Sequence, residues 1–463
     1  MNLPETLEGC HELIRELMAQ VLSLSEDVKR LRAQLDQNSG NSSKPSSSDG
    51  FRKKIVLPKK KGKGKKSGGQ VGHKGHTLEM VAEADEVVAL IPDRCECGES
   101  LAGGEPQLAA RRQVFDLPVQ ALYVREYQSY ECRCPKCRSV IYQPFPKEVS
   151  SPVQYGSGVK ALVALLNTKF HLSWQRTSEL FLDLYGYSIN DHTQEQALSQ
   201  AYERLAPVEA EIKAQVAASA VVHADETGVR TAGKLHWVHT SSTADYTYVY
   251  GHEKRGREAL GDASILPGYS GTLVHDCWAP YFSFEHIRHA LCGAHLVREL
   301  QGLKENGSRW AARMQRLLFT LHQKIQTEPT WQLTPEDPFW RRYDLICKSA
   351  NKEEPPPIKN LRGKPRQSKG RNLYNRLNKF KSAVLLFASQ TDVPFTNNQA
   401  ERDIRPLKVK QKNAGCFRTK IGLDRFCRIY SFLSTLRKRN RNALNELTDL
   451  FEGKNSFFPL LST

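Results

Sequence analysis

No stretch of this 463-residue chain approaches about eighteen uninterrupted apolar residues, so nothing in it reads as a membrane span. Met1 to Cys10 carries two Glu and no apolar run, so no secretory signal is expected and a cytoplasmic location is. No internal repeat is present, which argues against solenoids and propellers. Acidic residues are in deficit, 50 Asp and Glu against 67 Lys and Arg, for a formal charge of +17. In a cytoplasmic chain that imbalance points first to nucleic acid. Wholesale disorder is excluded by 39% apolar and 9% aromatic residues, enough to fill cores. In a reducing compartment the 11 cysteines read as metal ligands or core residues, not disulfides. At about 150 residues per domain, some three domains are expected.

What is there begins with a heptad. Leu7, Ile14, Val21, Val28 and Leu35 recur every seventh residue, as do Cys10, Leu17, Leu24 and Leu31. These are the a and d slots of a coiled-coil seam, so residues 1–37 are expected to self-associate, at least as a dimer; a single docked amphipathic helix is the alternative. Residues 38–86 follow as a basic linker. From Lys44 to Lys74 there are eleven Lys or Arg against one Asp, with Lys59, Lys60, Lys61, Lys63, Lys65 and Lys66 closely packed. Such a run is either a solvated spacer or an arm that neutralises DNA phosphates.

Residues 87–150 bracket cysteine pairs with short strands. Cys95 and Cys97, then Cys134 and Cys137, supply four thiolates to one closed structural Zn²⁺ site; Cys132 is a fifth sulfur that could replace one of them. Residues 151–219 carry helical periodicity, in Val159, Leu162, Leu165 and Leu166, and in Leu180 to Leu184. Gly186 breaks the pattern, and Asp191 with Gln194 suggests a capping box opening the next helix. The pair is a candidate helix-turn-helix or simple helix packing.

From 220 the texture changes to strands, each rich in β-branched and aromatic residues: Ala220–Asp225, Leu235–His239, Tyr246–Tyr250 and Thr272–Asp276. Residues 285–327 read as helical, 328–371 as a segment broken by seven prolines, and 372–389 and 423–440 as helical again. Two apolar runs end in a carboxylate, Asp225 and Asp276. Converging carboxylates repel unless a divalent cation lies between them, which is Mg²⁺ chemistry; an ordinary strand-end Asp opening a turn is the alternative. Glu401 is the third candidate, in Thr396-Asn397-Asn398-Gln399-Ala400-Glu401-Arg402-Asp403-Ile404-Arg405-Pro406. Local roles compete there, a capping box with Asn398 and an i, i+4 pair with Arg405. Arg402, Arg405, Lys408, Lys410 and Lys412 would suit a phosphate backbone. Glu226 points to the opposite strand face and reads as a structural or supporting residue.

The order of these features is specific. A zipper precedes the linker Gln37 to Gly50, the segment Gly68-Gly69-Gln70-Val71-Gly72-His73-Lys74-Gly75-His76 and a zinc ribbon. Asp225-Glu226-Thr227 and the Asn397-Asn398-x-Ala400-Glu401-Arg402 motif follow. From about residue 5 to about 450 the chain resembles transposases of the insertion-sequence family IS66, a group of DDE transposases. The resemblance implies an RNase H-like domain in which Asp225, Asp276 and Glu401 hold two Mg²⁺ (or Mn²⁺) ions. Cys292-Gly293-Ala294-His295 matches the family's Cys-x-x-His element, which makes His295 an accessory candidate and leaves Cys292 as a core residue. Asp276-Cys277-Trp278-Ala279-Pro280-Tyr281 departs from the family's Asp-x-Tyr, and the Cys95–Cys97 knuckle is one residue short.

The expected architecture is a multidomain α+β chain: coiled coil, zinc ribbon, helical domain, and an RNase H-like α/β catalytic core in residues 220–296 and 396–463, with a helical insertion at 297–395. Its expected activity is DNA transposase, binding the terminal inverted repeats of an insertion sequence and catalysing strand cleavage and transfer into target DNA. A prokaryotic, nucleoid-associated setting follows, with accessory transposition proteins as candidate further partners. A zinc-ribbon repressor leaves the three carboxylates unexplained. A nuclease or resolvase of the same fold leaves the zinc ribbon unexplained.

Overall fold

The computed structural model describes residues 6–35, 37–38, 40–42, 80–92, 94, 96–97, 100, 107–115, 121–357 and 367–454. The chain divides into two units, Met1–Gly50 with Tyr127–Asp183 and Tyr187–Thr463, and Phe51–Glu126 with Leu184–Gly186. In the second unit Gln113 bonds both the N–H and the C=O of Val81, and a bridge between Arg94 and Ser100 closes the turn that carries Cys97.

In the first unit α1 (Leu7–Leu35) is one uninterrupted helix. Leu7, Ile14, Leu17, Val21, Leu24, Val28, Leu31 and Leu35, all seam positions, are exposed on it. Strands β1 (Glu131–Arg133) and β2 (Val140–Tyr142) form an antiparallel hairpin around Cys134 and Cys137. Four helices follow: α2 (Ser157–Thr168), α3 (Trp174–Tyr185), α4 (Asp191–Arg204) and α5 (Ala206–Ala218). Helix α4 is capped one residue earlier than its sequence suggests, by the Asn190 carboxamide accepting from Thr193 N–H. Gln194 is buried instead and donates to the carbonyls of Trp174 and Ile189. On α3 the inward face is Thr177 and Phe181, while Leu182 and Leu184 are exposed, because adjacent apolar residues cannot all share one helical face.

The sheet is built from β3 (Val221–Thr231), β4 (Lys234–Ser242), β5 (Thr247–His252), β6 (Thr272–His275) and β7 (Arg288–Leu291), with the short α6 (Arg257–Asp262) between β5 and β6. Its order is β5-β4-β3-β6-β7. The first three strands form an antiparallel meander; β6 runs parallel to β3 and β7 parallel to β6. Ala232 and Gly233, at φ +49° and +76°, make the two-residue turn between β3 and β4. A positive φ at both central residues is what a twisted hairpin needs there.

Two expectations are corrected here. Asp225 does not end its strand: β3 continues to Thr231, since the turn-forming pair is Ala232-Gly233 and not the Asp225–Gly228 segment. What ends at His223 is the parallel pairing with β6, so Asp225 lies just beyond the carboxyl end of that pair. The segment 285–327 is not wholly helical, because Arg288–Leu291 forms the edge strand β7, too short to show a period.

After β7 come α7 (Gly293–Glu305), α8 (Arg309–Thr327), α9 (Pro338–Glu353), α10 (Lys369–Lys379) and α11 (Lys381–Ser389). Pro338 opens α9 at its first turn, where a missing N–H costs nothing, and Asp337 caps it. Helices α12 (Asn398–Ala414), α13 (Lys420–Lys438) and α14 (Ala443–Glu452) complete the chain's described part. Val222, Ala224 and Leu273 pack on one side with α2, α4, α5, α13 and α14. Val274, Ala290 and Leu291 pack with α7 to α11, and Val229, Val238 and Val249 pack with α12 and α13. A mixed five-stranded sheet with helices on both faces is consistent with the expected RNase H-like core.

Candidate active site

Each acidic candidate is delivered by a different element. Asp225 lies within β3, Asp276 directly follows β6, and Glu401 is in the first turn of α12. Alternation along β3 sends Val222, Ala224 and Glu226 to one face and His223 and Asp225 to the other. Burial pushes the Asp225 carboxyl well above the usual carboxylate range, and the charges of Glu226, Asp276 and Glu401 push it further. Asp225 is therefore within electrostatic reach of Glu226, Asp276 and Glu401. The Asp276 carboxylate accepts from the N–H of Trp278 at 3.2 Å. Cys277, between them, takes φ +72°, a conformation costly for a residue with a side chain.

Asn397 joins the pieces, and sequence reasoning missed it. It is 1% exposed. Its carboxamide donates to the Ala224 carbonyl at 2.7 Å and meets His223 Nδ1 at 2.9 Å. Its backbone N–H donates to Cys292 Sγ at 3.2 Å, and its carbonyl accepts from Glu401 N–H at 3.2 Å. Asparagine at a helix start ordinarily caps the helix; here no side-chain cap bond forms, because the carboxamide is turned to β3. One residue thus ties the start of α12 to the strand bearing Asp225 and to the entry of α7. Its position, four residues before Glu401, was the available signal.

Glu401 takes neither local role open to it. Its ion-pair partner is Arg298 (3.8 Å) and not Arg405, and His295 Nδ1 lies 3.6 Å from its Oε1; both neighbours are on α7. Its Oε1 is buried with no hydrogen-bond partner, and so is His295 Nδ1. Burial and Arg298 lower the His295 pKa, while Glu401 and Asp276 oppose them, so the imidazole is neutral at physiological pH. Cys292, His295 and Glu401 bring their ligand atoms within 4.8 Å of one another.

Beside the carboxylates, Glu226 is fully committed. Arg255 grips it at 2.6 Å and Tyr281 donates to it at 2.6 Å. The Arg255 guanidinium lies 4.7 Å from the ring centroid of Trp237 and 4.4 Å from that of Trp278. The supporting place expected for Glu226 is what these contacts describe; Arg255, Trp237 and Tyr281 carried no recognisable signal in sequence.

The basic candidates on α12 differ among themselves. Arg402, Arg405, Lys408 and Lys412 are exposed. Lys410 is half-buried, donates to the Asn167 carbonyl at 3.2 Å, which fastens α12 to α2, and has its pKa lowered to about 8 by burial. Lys408 reaches the Gly228 carbonyl at 2.7 Å. Lys59, Lys60, Lys61, Lys63, Lys65, Lys66 and Cys95 lie outside the described residues.

The residues 152–425 match the family model described as Transposase IS66 family. The chain belongs to that family. A second model, a family of unknown function (DUF6444), matches residues 2–79. No curated protein matches the chain. Membership of the IS66 family makes it a DDE transposase, an enzyme of metal-dependent phosphoryl transfer that acts on DNA. Among the described residues no helix is long and apolar enough to cross a membrane.

The cysteine turn can be described in its own right. Cys134 N–H donates to the Ser139 carbonyl and Arg138 N–H to the Cys134 carbonyl, both at 2.9 Å. Cys137 Sγ lies 2.7 Å from Ser139 Oγ, and that hydroxyl is the main reason its thiol is drawn down to about 7. Cys132, on β1 opposite Ile141, is exposed.

Proposed function

We propose that this IS66 transposase binds the terminal inverted repeats of its element and cuts and joins DNA strands at Asp225, Asp276 and Glu401. The observation that carries the reading is that Asp225 on β3 lies within electrostatic reach of Asp276 after β6 and of Glu401 on α12, while Glu401 leaves its local partners for His295 and Arg298 on α7. A cluster of carboxylates without a cation is self-repelling, and the orphaned Glu401 Oε1 is a ligand atom lacking its ligand. The donor set is all oxygen, which suits Mg²⁺ or Mn²⁺. Two such ions, held by these three residues, would supply an activated attacking oxygen and stabilisation of the leaving one. The protein's share is to fix the carboxylates: the Trp278 N–H orients Asp276, and Asn397 sets Glu401 against Asp225. Exposed Arg402 and Arg405, on the same helix as Glu401, are placed to take DNA phosphates.

The Cys134–Cys137 turn offers two thiolates toward structural zinc, and the exposed seam of α1 supports self-association. The test of the central claim is charge removal at constant shape. Asp225→Asn and Glu401→Gln are each expected to abolish cleavage and strand transfer of DNA carrying the element's ends while end binding persists. Transposition at the native rate by Glu401→Gln would remove Glu401 from the site.

A further inference from the structure

Cys292 is the first-turn cap of α7, and His295 sits one turn along the same helix. Cys292 is fully buried, yet its sulfur is surrounded by donors: the N–H groups of Asn397, Ala294 and His295 are all directed at it. Burial pushes the Cys292 thiol up, and the N–H groups converging on its sulfur only partly offset this. Such N–H···S bonds are also the usual outer support of a cysteine bound to metal. His295 Nδ1 and Glu401 Oε1 point toward each other, both buried and both without a hydrogen-bond partner. The sulfur, the nitrogen and the oxygen lie within 4.8 Å of one another. Bond lengths of about 2.0–2.3 Å to Zn²⁺ place tetrahedral ligands about 3.3–3.8 Å apart, so small side-chain adjustments close the set.

We propose that Cys292, His295 and Glu401 form a Zn²⁺ site, and that Zn²⁺ bound there withdraws Glu401 from the acidic triad. The donor set of one sulfur, one nitrogen and one oxygen selects Zn²⁺ over Mg²⁺, which takes oxygen ligands. Arg298 holds the same Glu401 oxygen at 3.8 Å and competes with the ion for it. Zinc would therefore act as a reversible off-state of the transposase. Binding stands on the geometry alone; the withdrawal rests on the catalytic reading of Glu401.

The test is a titration of the full-length protein with Co²⁺, whose thiolate complexes absorb in the near ultraviolet. Wild type should take up about one equivalent more than Cys292→Ser, while other thiols give the same background in both. His295→Asn, on a partly exposed helix position, should keep the fold and bind that equivalent at least about tenfold more weakly. Identical uptake and identical thiolate absorbance in wild type and both variants would overturn the site. Cleavage in Mg²⁺ is then measured with and without added Zn²⁺, and the ratio is read within each protein. A strong Zn²⁺ effect in wild type that is lost in Cys292→Ser supports the off-state. Co²⁺ uptake at Cys292 with no Zn²⁺ inhibition would leave the metal site standing and overturn the withdrawal of Glu401.

Discussion

Truncating Asn397 to Ala tests whether one carboxamide sets the geometry of the site. The substitution removes the bond to the Ala224 carbonyl and the interaction with His223 Nδ1, leaving both partners buried. Each unsatisfied partner costs about 1–3 kcal/mol, so the expected loss is about 2–6 kcal/mol. No capping bond is lost, since none is made, so the ordinary penalty for removing a helix-cap asparagine does not enter. The loss is a large share of the roughly 5–15 kcal/mol that holds a typical domain together. The backbone N–H to Cys292 survives, so α12 should stay docked but its first turn should loosen. A displacement of about 1 Å at a reacting group costs on the order of 100-fold in rate. The assays are denaturant unfolding and Mg²⁺-dependent cleavage of DNA carrying the element's ends. Expected are a lower unfolding midpoint, a cleavage rate reduced about 100-fold per folded molecule, and partial recovery at high Mn²⁺. A variant that unfolds earlier but cleaves at the native rate would show Asn397 to be a packing residue with no bearing on the site.

Burial and neighbouring charge raise the folded-state pKa of both Asp225 and Glu226. The folded metal-free protein therefore holds more protons than the unfolded chain between the ordinary and the raised values, and stability must fall as pH rises through that window. Thermal melts in chelator should shift upward as pH falls from neutral toward the ordinary carboxylate range, and Mg²⁺ should flatten the trend; a melting temperature independent of pH in chelator would contradict it. Deleting residues 1–36 should convert a dimer or larger assembly to monomer by light scattering, with an unchanged mass counting against the coiled-coil reading. Neutralising Lys59, Lys60, Lys61, Lys63, Lys65 and Lys66 should flatten the salt dependence of DNA binding by up to about 0.9 log units for each phosphate no longer neutralised, and an identical slope would make the run a spacer. Metal analysis should find structural zinc that is lost in Cys137→Ser, and zinc-free protein with an intact β1–β2 hairpin would refute that assignment.

The parts legible in sequence were those set by local period or by short motif. The α1 seam, the runs that became β4, β5 and β6, and the placement of Asp276 follow from residue type and spacing. The parts that were not legible depend on partners far along the chain. Strand β7 has four residues and no period, and exists because β6 lies beside it. Asp225 reads as a strand end because a carboxylate after an apolar run usually opens a turn; only pairing with β4 carries the strand onward. Asn397 and Glu401 sit in a motif whose local chemistry predicts a cap and an ion pair, and both are diverted by β3 and α7. Where a local rule fails without loss of order, a functional constraint is the usual reason.

Helix α12 is fastened to β3 at both ends. Asn397 holds its start to the Ala224 carbonyl, while past its end Phe417 exchanges bonds with Arg230 and Ala232, and Lys408 touches Gly228 between them. Seventeen helical residues rise about 25 Å, and the strand from Ala224 to Ala232 advances about 26 Å, so the two are matched rods laid side by side in the same direction. Sliding α12 along β3, and so Glu401 past Asp225, would break the bonds at both ends at once. If these carboxylates hold metal, an adjustment between Glu401 and Asp225 cannot come from sliding α12 along β3. Asp276 stands outside this pairing, at the tip of a four-residue strand, and is followed by Cys277 in a costly backbone conformation.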